Sequence, residues 1–141
     1  MSDQYHGQSG KVPNLQEKTE AMKSQEAVLQ SECFKWFRYA YPKYKKLFYA
    51  IPNGGSRNKI EAKNLKLQGV VPGVSDTCLA VPRNGYHGLY IEFKYGKNDL
   101  SDEQEEFLDE VKKQGYATAV VWTFDEFENV INEYLVDKSK Q

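Results

Sequence analysis

Leu89-Tyr90-Ile91-Glu92-Phe93-Lys94-Tyr95 is the stretch whose reading decides the fold. Side chains on a β-strand alternate between its two faces. Leu89, Ile91, Phe93 and Tyr95 therefore share one face, as a core requires, and Tyr90, Glu92 and Lys94 share the other. An acid and an amine are thus held side by side on a rigid element. Just upstream, the turn residues Pro82-Arg83-Asn84-Gly85 separate this strand from another predicted over 76–81, which gives an antiparallel pair. Downstream, Gly96-Lys97-Asn98-Asp99 leads into a helix capped by Ser101. A valine-rich strand over 117–122 then returns parallel through that crossover.

The flanks complete the pattern. From about Thr19, Val28, Leu29, Cys33, Trp36, Phe37 and Ala40 recur at helical steps, and Pro42 should end this helix near Tyr41. Residues 47–51 read as a short strand and Pro52-Asn53-Gly54-Gly55 as a turn. A helix over 57–68 places Ile60, Leu65 and Leu67 among its apolar positions and ends at Gly69, with a last helix over 125–135. Helix, strand, helix, strand, strand, helix, strand, helix describes an α/β chain with a central mixed sheet and helices on its faces. Residues 1–20 are polar and predict a flexible tail, leaving 21–141 as a single domain.

Bulk properties narrow the function. No apolar run approaches membrane-spanning length, and the polar start is no signal peptide. Cys33 and Cys78 are far apart and outside any CxxC, which predicts reduced, buried thiols in a cytoplasmic protein and speaks against zinc. The net charge of −1 hides a strong polarity. Residues 35–66 carry nine cations against the single acid Glu61, and residues 101–135 carry ten acids against Lys112 and Lys113. Two solvated faces would explain this, but a basic segment leading towards clustered carboxylates favours a phosphate-rich partner.

Asp76 closes the turn-rich run Val71-Pro72-Gly73-Val74-Ser75-Asp76. With Glu92 and Lys94 it forms the minimal set for magnesium-dependent phosphodiester hydrolysis. Carboxylates hold a hard cation, the Phe93 backbone carbonyl offers a third oxygen, and the lysine steadies a water or the transition-state charge. Taken alone, Glu92 and Lys94 read equally as a surface pair, and Asp76 as a turn acid. Glu32 falls on the apolar stripe of the first helix, so an inward-facing acid needs a partner, a metal or a raised pKa, and it could join through a water or bind a second ion. Gln104 completes a capping box with Ser101, yet also lies on the inward side, where it would orient a water or Lys94.

Asn53, Gly54, Gly55 and Arg57 run into a helix N-terminus suited to phosphate, though a plain turn explains them as well. Lys59 extends that basic segment. In the aromatic-basic run 35–46, much of which should be core, Arg38, Lys43, Lys45 and Lys46 are the fair phosphate contacts. No Walker A pattern occurs, so no nucleotide cofactor is indicated.

In order, Ile51-Pro52-Asn53-Gly54-Gly55, Arg57, residues 69–76, Ile91-Glu92-Phe93-Lys94 and Leu100-Ser101-Asp102-Glu103-Gln104 resemble the VRR-NUC family of the PD-(D/E)XK nuclease superfamily. The resemblance spans about residues 28–135. It implies a restriction-endonuclease-like core, Mg²⁺ dependence with Mn²⁺ as substitute, and active-site positions at Glu32, Asp76, Glu92, Lys94 and Gln104. It further implies a stand-alone, viral or bacterial homodimer that resolves Holliday junctions in the (host) cytoplasm. A nuclease for flaps or other branched DNA and a non-catalytic DNA-binding protein of the same fold are the alternatives. One departure stands out: the family's usual proline before the metal-binding aspartate is Ser75 here.

Overall fold

The structure is a computed structural model that describes residues 10–52 and 58–140. Among the described residues four α-helices and four strands follow one another as α1 (Leu15–Ala40), β1 (Phe48–Ala50), α2 (Lys59–Leu67), β2 (Thr77–Leu79), β3 (Leu89–Phe93), α3 (Asp102–Lys113), β4 (Ala117–Val121) and α4 (Phe124–Leu135). The strands form one mixed sheet in the order β1-β2-β3-β4, with the first two pairings antiparallel and β3 parallel to β4. The α/β architecture read from the sequence is the one observed.

Local chemistry sets most boundaries. Asn14 and Glu17 bond each other's backbone N–H groups at 2.9 Å, a capping box that starts α1 at Leu15 rather than near Thr19. Helix therefore replaces tail over the last six residues of the segment expected to be loose. Pro42 stops α1 and opens a short 3-10 helix at Pro42–Tyr44. α2 ends in a Schellman motif, with Gly69 at φ 99°, the Gly69 N–H on Lys66 O and the Val70 N–H on Leu65 O.

One face of the sheet is packed by α1 and α4. Leu29, Cys33, Phe34 and Phe37 of α1 and Phe127, Ile131, Tyr134 and Leu135 of α4 close over Phe48, Leu79, Leu89, Ile91, Phe93 and Val121. Phe34 stacks on Phe48 at 4.2 Å between ring centroids, and Phe127 meets Trp36, Phe48 and Phe93. Rings of this size, each contributing about 2–3 kcal/mol on burial, carry much of the fold's hydrophobic stabilisation. The other face is covered by α3, where Tyr90 lies edge-on to Phe107. Helices on both faces make Glu92 and Lys94 interior residues, not the surface pair their spacing also allowed. The thiols of Cys33 and Cys78 are free and buried, and burial pushes Cys33 up to about 12, helped by the Glu32 charge.

Three details depart from the alternation and stripe patterns. Tyr95 is exposed, because β3 ends at Phe93 and the chain turns between Tyr95 and Asn98. Val28 is half-exposed and Glu32 is exposed. The buried face of α1 is centred on the line through Leu29, Cys33 and Phe37, and Glu32 sits roughly 100° round the helix from Cys33. Ile60 and Leu67 are exposed as well, and α2 has no buried residue.

Candidate active site

Strand register brings the two carboxylates together. Thr77 pairs with Ile91, so the next antiparallel step sets Asp76, immediately before β2, opposite Glu92 on the same face. The groups interlock. The Phe93 N–H donates to Asp76 Oδ2 at 2.9 Å, and the Asp76 N–H donates to Glu92 Oε2 at 3.2 Å. Glu92 is 2% exposed and Lys94 6%. The Lys94 side chain makes no ion pair or hydrogen bond among the described residues, and its backbone N–H bonds Val121 O at 2.9 Å.

Gln104 closes the capping box, and the partner of its amide is Glu92 rather than the Lys94 its position suggested. Its Oε1 accepts from the Ser101 N–H at 2.9 Å, closing the capping box of α3. With that oxygen engaged, its Nε2 donates to Glu92 Oε1 at 2.8 Å. The cap thus fixes which end of the amide faces the acid. α3 is also held from the other side. Gly73, at φ 86°, packs so tightly on the Glu103 backbone that a Cβ there would sit 2.4 Å from the carbonyl oxygen. This contact, invisible in the sequence, ties the loop before Asp76 to the turn that carries Gln104.

Electrostatics mark the site. Burial pushes Glu92 up from 4.5 to about 8, and the neighbouring Asp76 charge adds to it, while Lys94 pulls the other way. Below pH 4.5 the carboxyl is protonated in folded and unfolded chains alike. Between 4.5 and about 8 the unfolded chain sheds this proton and the folded one keeps it, so Glu92 weakens the folded state progressively as pH rises. A cation that takes the proton's place binds more readily as pH approaches 8. Adding Mg²⁺ is therefore expected to raise Tm more at pH 8 than at pH 6 in scanning calorimetry. A gain that is equal at both values would contradict this account.

The other expected site residues fall in separate places. Glu32 lies on the exposed flank of α1, and the inward-facing acid inferred from its stripe is not what α1 presents. Among the described residues no group of three His, Cys, Asp or Glu side chains is placed to hold an ion. The site offers two carboxylates, Asp76 and Glu92, and backbone oxygen. These hard oxygen donors suit Mg²⁺, which keeps several waters and takes one or two carboxylates. Ser75, immediately before Asp76, is fully buried. Asn53, Gly54, Gly55 and Arg57 lie outside the described residues. Arg38, Lys43, Lys45, Lys46 and Lys59 are all exposed.

Comparison with known proteins places the fold. The profile of the VRR-NUC domain family matches residues 14–123. A solved structure described as a VRR_NUC domain protein superposes with a TM-score of 0.69 at 27% identity, covering 78% of this chain and 87% of that one. No curated protein matches. No helix among the described residues is long and apolar enough to cross a membrane. The matched profile spans the capped first helix, the opposed carboxylates, the buried lysine and the Gln104 turn, and the chain belongs to the VRR-NUC family of PD-(D/E)XK-type nuclease domains.

Proposed function

We propose that this chain is a Mg²⁺-dependent structure-specific DNA endonuclease, with Asp76 and Glu92 as metal ligands and Lys94 as the charged catalytic group. The observation that carries the reading is the interlocked Asp76–Glu92 pair beside a buried lysine that has no ion-pair partner among the described residues. The Phe93 carbonyl completes the ligand set, and Glu32, from the exposed flank of α1, takes part through water. A bound divalent cation supplies charge for the scissile phosphate and a water more easily ionised than in bulk.

The chain's own residues do the rest. Gln104 holds the Glu92 carboxylate in one orientation through Nε2. The Phe93 N–H holds Asp76 in the same way. Lys94, fixed at the end of β3, places a positive charge where the attacking oxygen or the phosphoryl oxygens gain negative charge. Exposed cations at Arg38, Lys43, Lys45, Lys46 and Lys59, with Asn53, Gly54, Gly55 and Arg57, provide contacts to the DNA backbone. Branched DNA, such as a Holliday junction cut by a homodimer, is the substrate this reading favours. A two-fold substrate suits a two-fold enzyme.

A cleavage panel of four-way junction, flap, nicked and linear duplex DNA, with Mg²⁺, Mn²⁺ or EDTA, tests it. Branched substrates are expected to be cut with either metal and spared in EDTA. Tight DNA binding with no cutting under any metal would instead assign the chain as a binding protein of this fold.

A further inference from the structure

Lys94 and Gln104, the two side chains placed beside the carboxylate pair, are joined by a short segment that few contacts hold. β3 ends at Phe93, and the last bond from this strand to its neighbour is the Lys94 N–H to Val121 O at 2.9 Å. Regular structure resumes at the Ser101 cap of α3. Residues 95, 96, 97 and 99 are exposed, and Asn98 alone in that run is half-buried. Among the described residues, Asn98 is also the one residue of 95–100 whose hydrogen bonds reach other elements. Its Nδ2 donates to Glu26 Oε1 of α1 at 2.7 Å, and its carbonyl accepts from the Trp122 indole N–H, just past β4, at 2.9 Å. Its own N–H closes a turn on Tyr95 O at 3.1 Å. Glu26 lies before Leu29, the first buried residue of α1, so it meets Asn98 outside the hydrophobic core. Glu26 forms no ion pair among the described residues, and the Asn98 amide is its hydrogen-bonding partner there.

We infer that Asn98, gripped by Glu26, is a positioning residue that fixes the segment between Lys94 and Gln104 and so sets both side chains against the Asp76–Glu92 pair. The inference rests on the nuclease reading above and adds to it a residue that acts through others. A hydrogen bond from an amide to a carboxylate is charge-assisted and stronger than one between neutral groups, and this one is short. It joins residues 72 apart in the chain, so it ties the segment to the frame of α1 rather than to itself. Without it the segment keeps the Trp122 bond to its backbone and loses its side-chain tether to α1. Gln104 has to reach Glu92 at 2.8 Å while accepting from the Ser101 N–H at 2.9 Å, and both bonds depend on where the turn sits. A displacement of about 1 Å at either end of the segment moves the ammonium or the amide off its mark, and shifts of that size cost on the order of 10²-fold in rate.

Exchanging donor and acceptor tests the assignment. Asn98→Asp sets two carboxylates against each other and breaks the bond. Adding Glu26→Gln restores it in reverse, with the new amide donating to the new carboxylate at unchanged size and net charge. Cleavage is measured with Mg²⁺, well below Tm, on the DNA that wild type cuts fastest in the panel above. Asn98→Asp is expected to lower kcat about a hundredfold and to change KM less than about threefold, while Mg²⁺ still raises Tm. The double variant is expected to return to within about threefold of the wild-type kcat. Asn98→Ala, which removes the bond without adding a charge, is expected to lose about tenfold, which guards against a folding artefact in one variant. In metal-free protein, hydrogen exchange at the Ser101 amide is expected to quicken about tenfold in Asn98→Asp and to recover in the double variant. A tie that serves stability alone would lower Tm and leave kcat in place, and that result overturns the inference. A double variant as slow as Asn98→Asp overturns it too, because the bond is then not what the reaction needs. If wild type cuts DNA and Asn98→Asp cuts it equally well, only this inference fails. If wild type cuts no DNA while Ser101 exchange follows the swap, the nuclease reading fails and takes the positioning role with it.

Discussion

Asp76→Asn is expected to reduce Mg²⁺-dependent DNA cleavage by about 10³-fold while leaving the protein folded. Asparagine keeps an oxygen for the Phe93 N–H, which now bonds Asp76 at 2.9 Å. It removes the charge that helps raise the Glu92 pKa. The metal-free variant should therefore unfold at the same temperature as wild type or slightly higher, because a repulsion between buried acids has gone. What disappears is the stabilisation by Mg²⁺, since a hard cation loses one of two anionic ligands. Lys94→Ala is expected to lose cleavage to a similar degree for a different reason, and to retain Mg²⁺ stabilisation. The pair of variants thus separates ligand from charge donor by calorimetry with and without Mg²⁺. An Asp76→Asn protein that still gains Tm from Mg²⁺ as wild type does would falsify its role as a ligand.

Gly73→Ala should be the most damaging glycine-to-alanine change among the described residues. The new Cβ would meet the Glu103 carbonyl oxygen at 2.4 Å and the carbonyl carbon at 2.5 Å, both backbone atoms of α3 that cannot swing aside. Gly73 also has φ 86°, a region that costs an L-residue about 1–2 kcal/mol. Clash and strain together predict a loss of about 3 kcal/mol or more, which for a chain of this size lowers Tm by roughly 10 °C. Gly69→Ala is the matched control. It has φ 99° but nothing within 4 Å of the added carbon, so only the backbone cost of about 1–2 kcal/mol applies. Equal losses in the two variants would show that the Gly73–Glu103 contact has no energetic weight. Cleavage should fall further in Gly73→Ala than stability alone explains, because the displaced turn carries Gln104 and its bond to Glu92.

Much of this architecture is legible in the chain because short-range rules govern it. Alternation along residues 89–93 marks a strand with two unlike faces, and that is the strand observed. The Ser101–Gln104 spacing marks a helix start, and both bonds of the box are present. Crossover rules give the parallel return of β4. The family motifs, read in order, agree with the matched profile over residues 14–123.

What the sequence determined by itself is therefore periodic or contiguous: strand faces, caps, the order of elements and the residue types available for chemistry. Tertiary structure alone decided which residues meet. The apolar stripe of α1 is broad enough to be centred on Val28 and Trp36 or on Leu29 and Cys33. Only the packing of Cys33 and Phe37 into the core chooses the second, and that choice turns Glu32 outward. In the same way, Gly73 reads locally as a turn residue, and only docking of α3 makes it a contact point thirty residues away in the chain. The raised pKa of Glu92 has the same origin. Desolvation depends on what covers a group, and α3 and Asp76 reach it from elements distant in sequence.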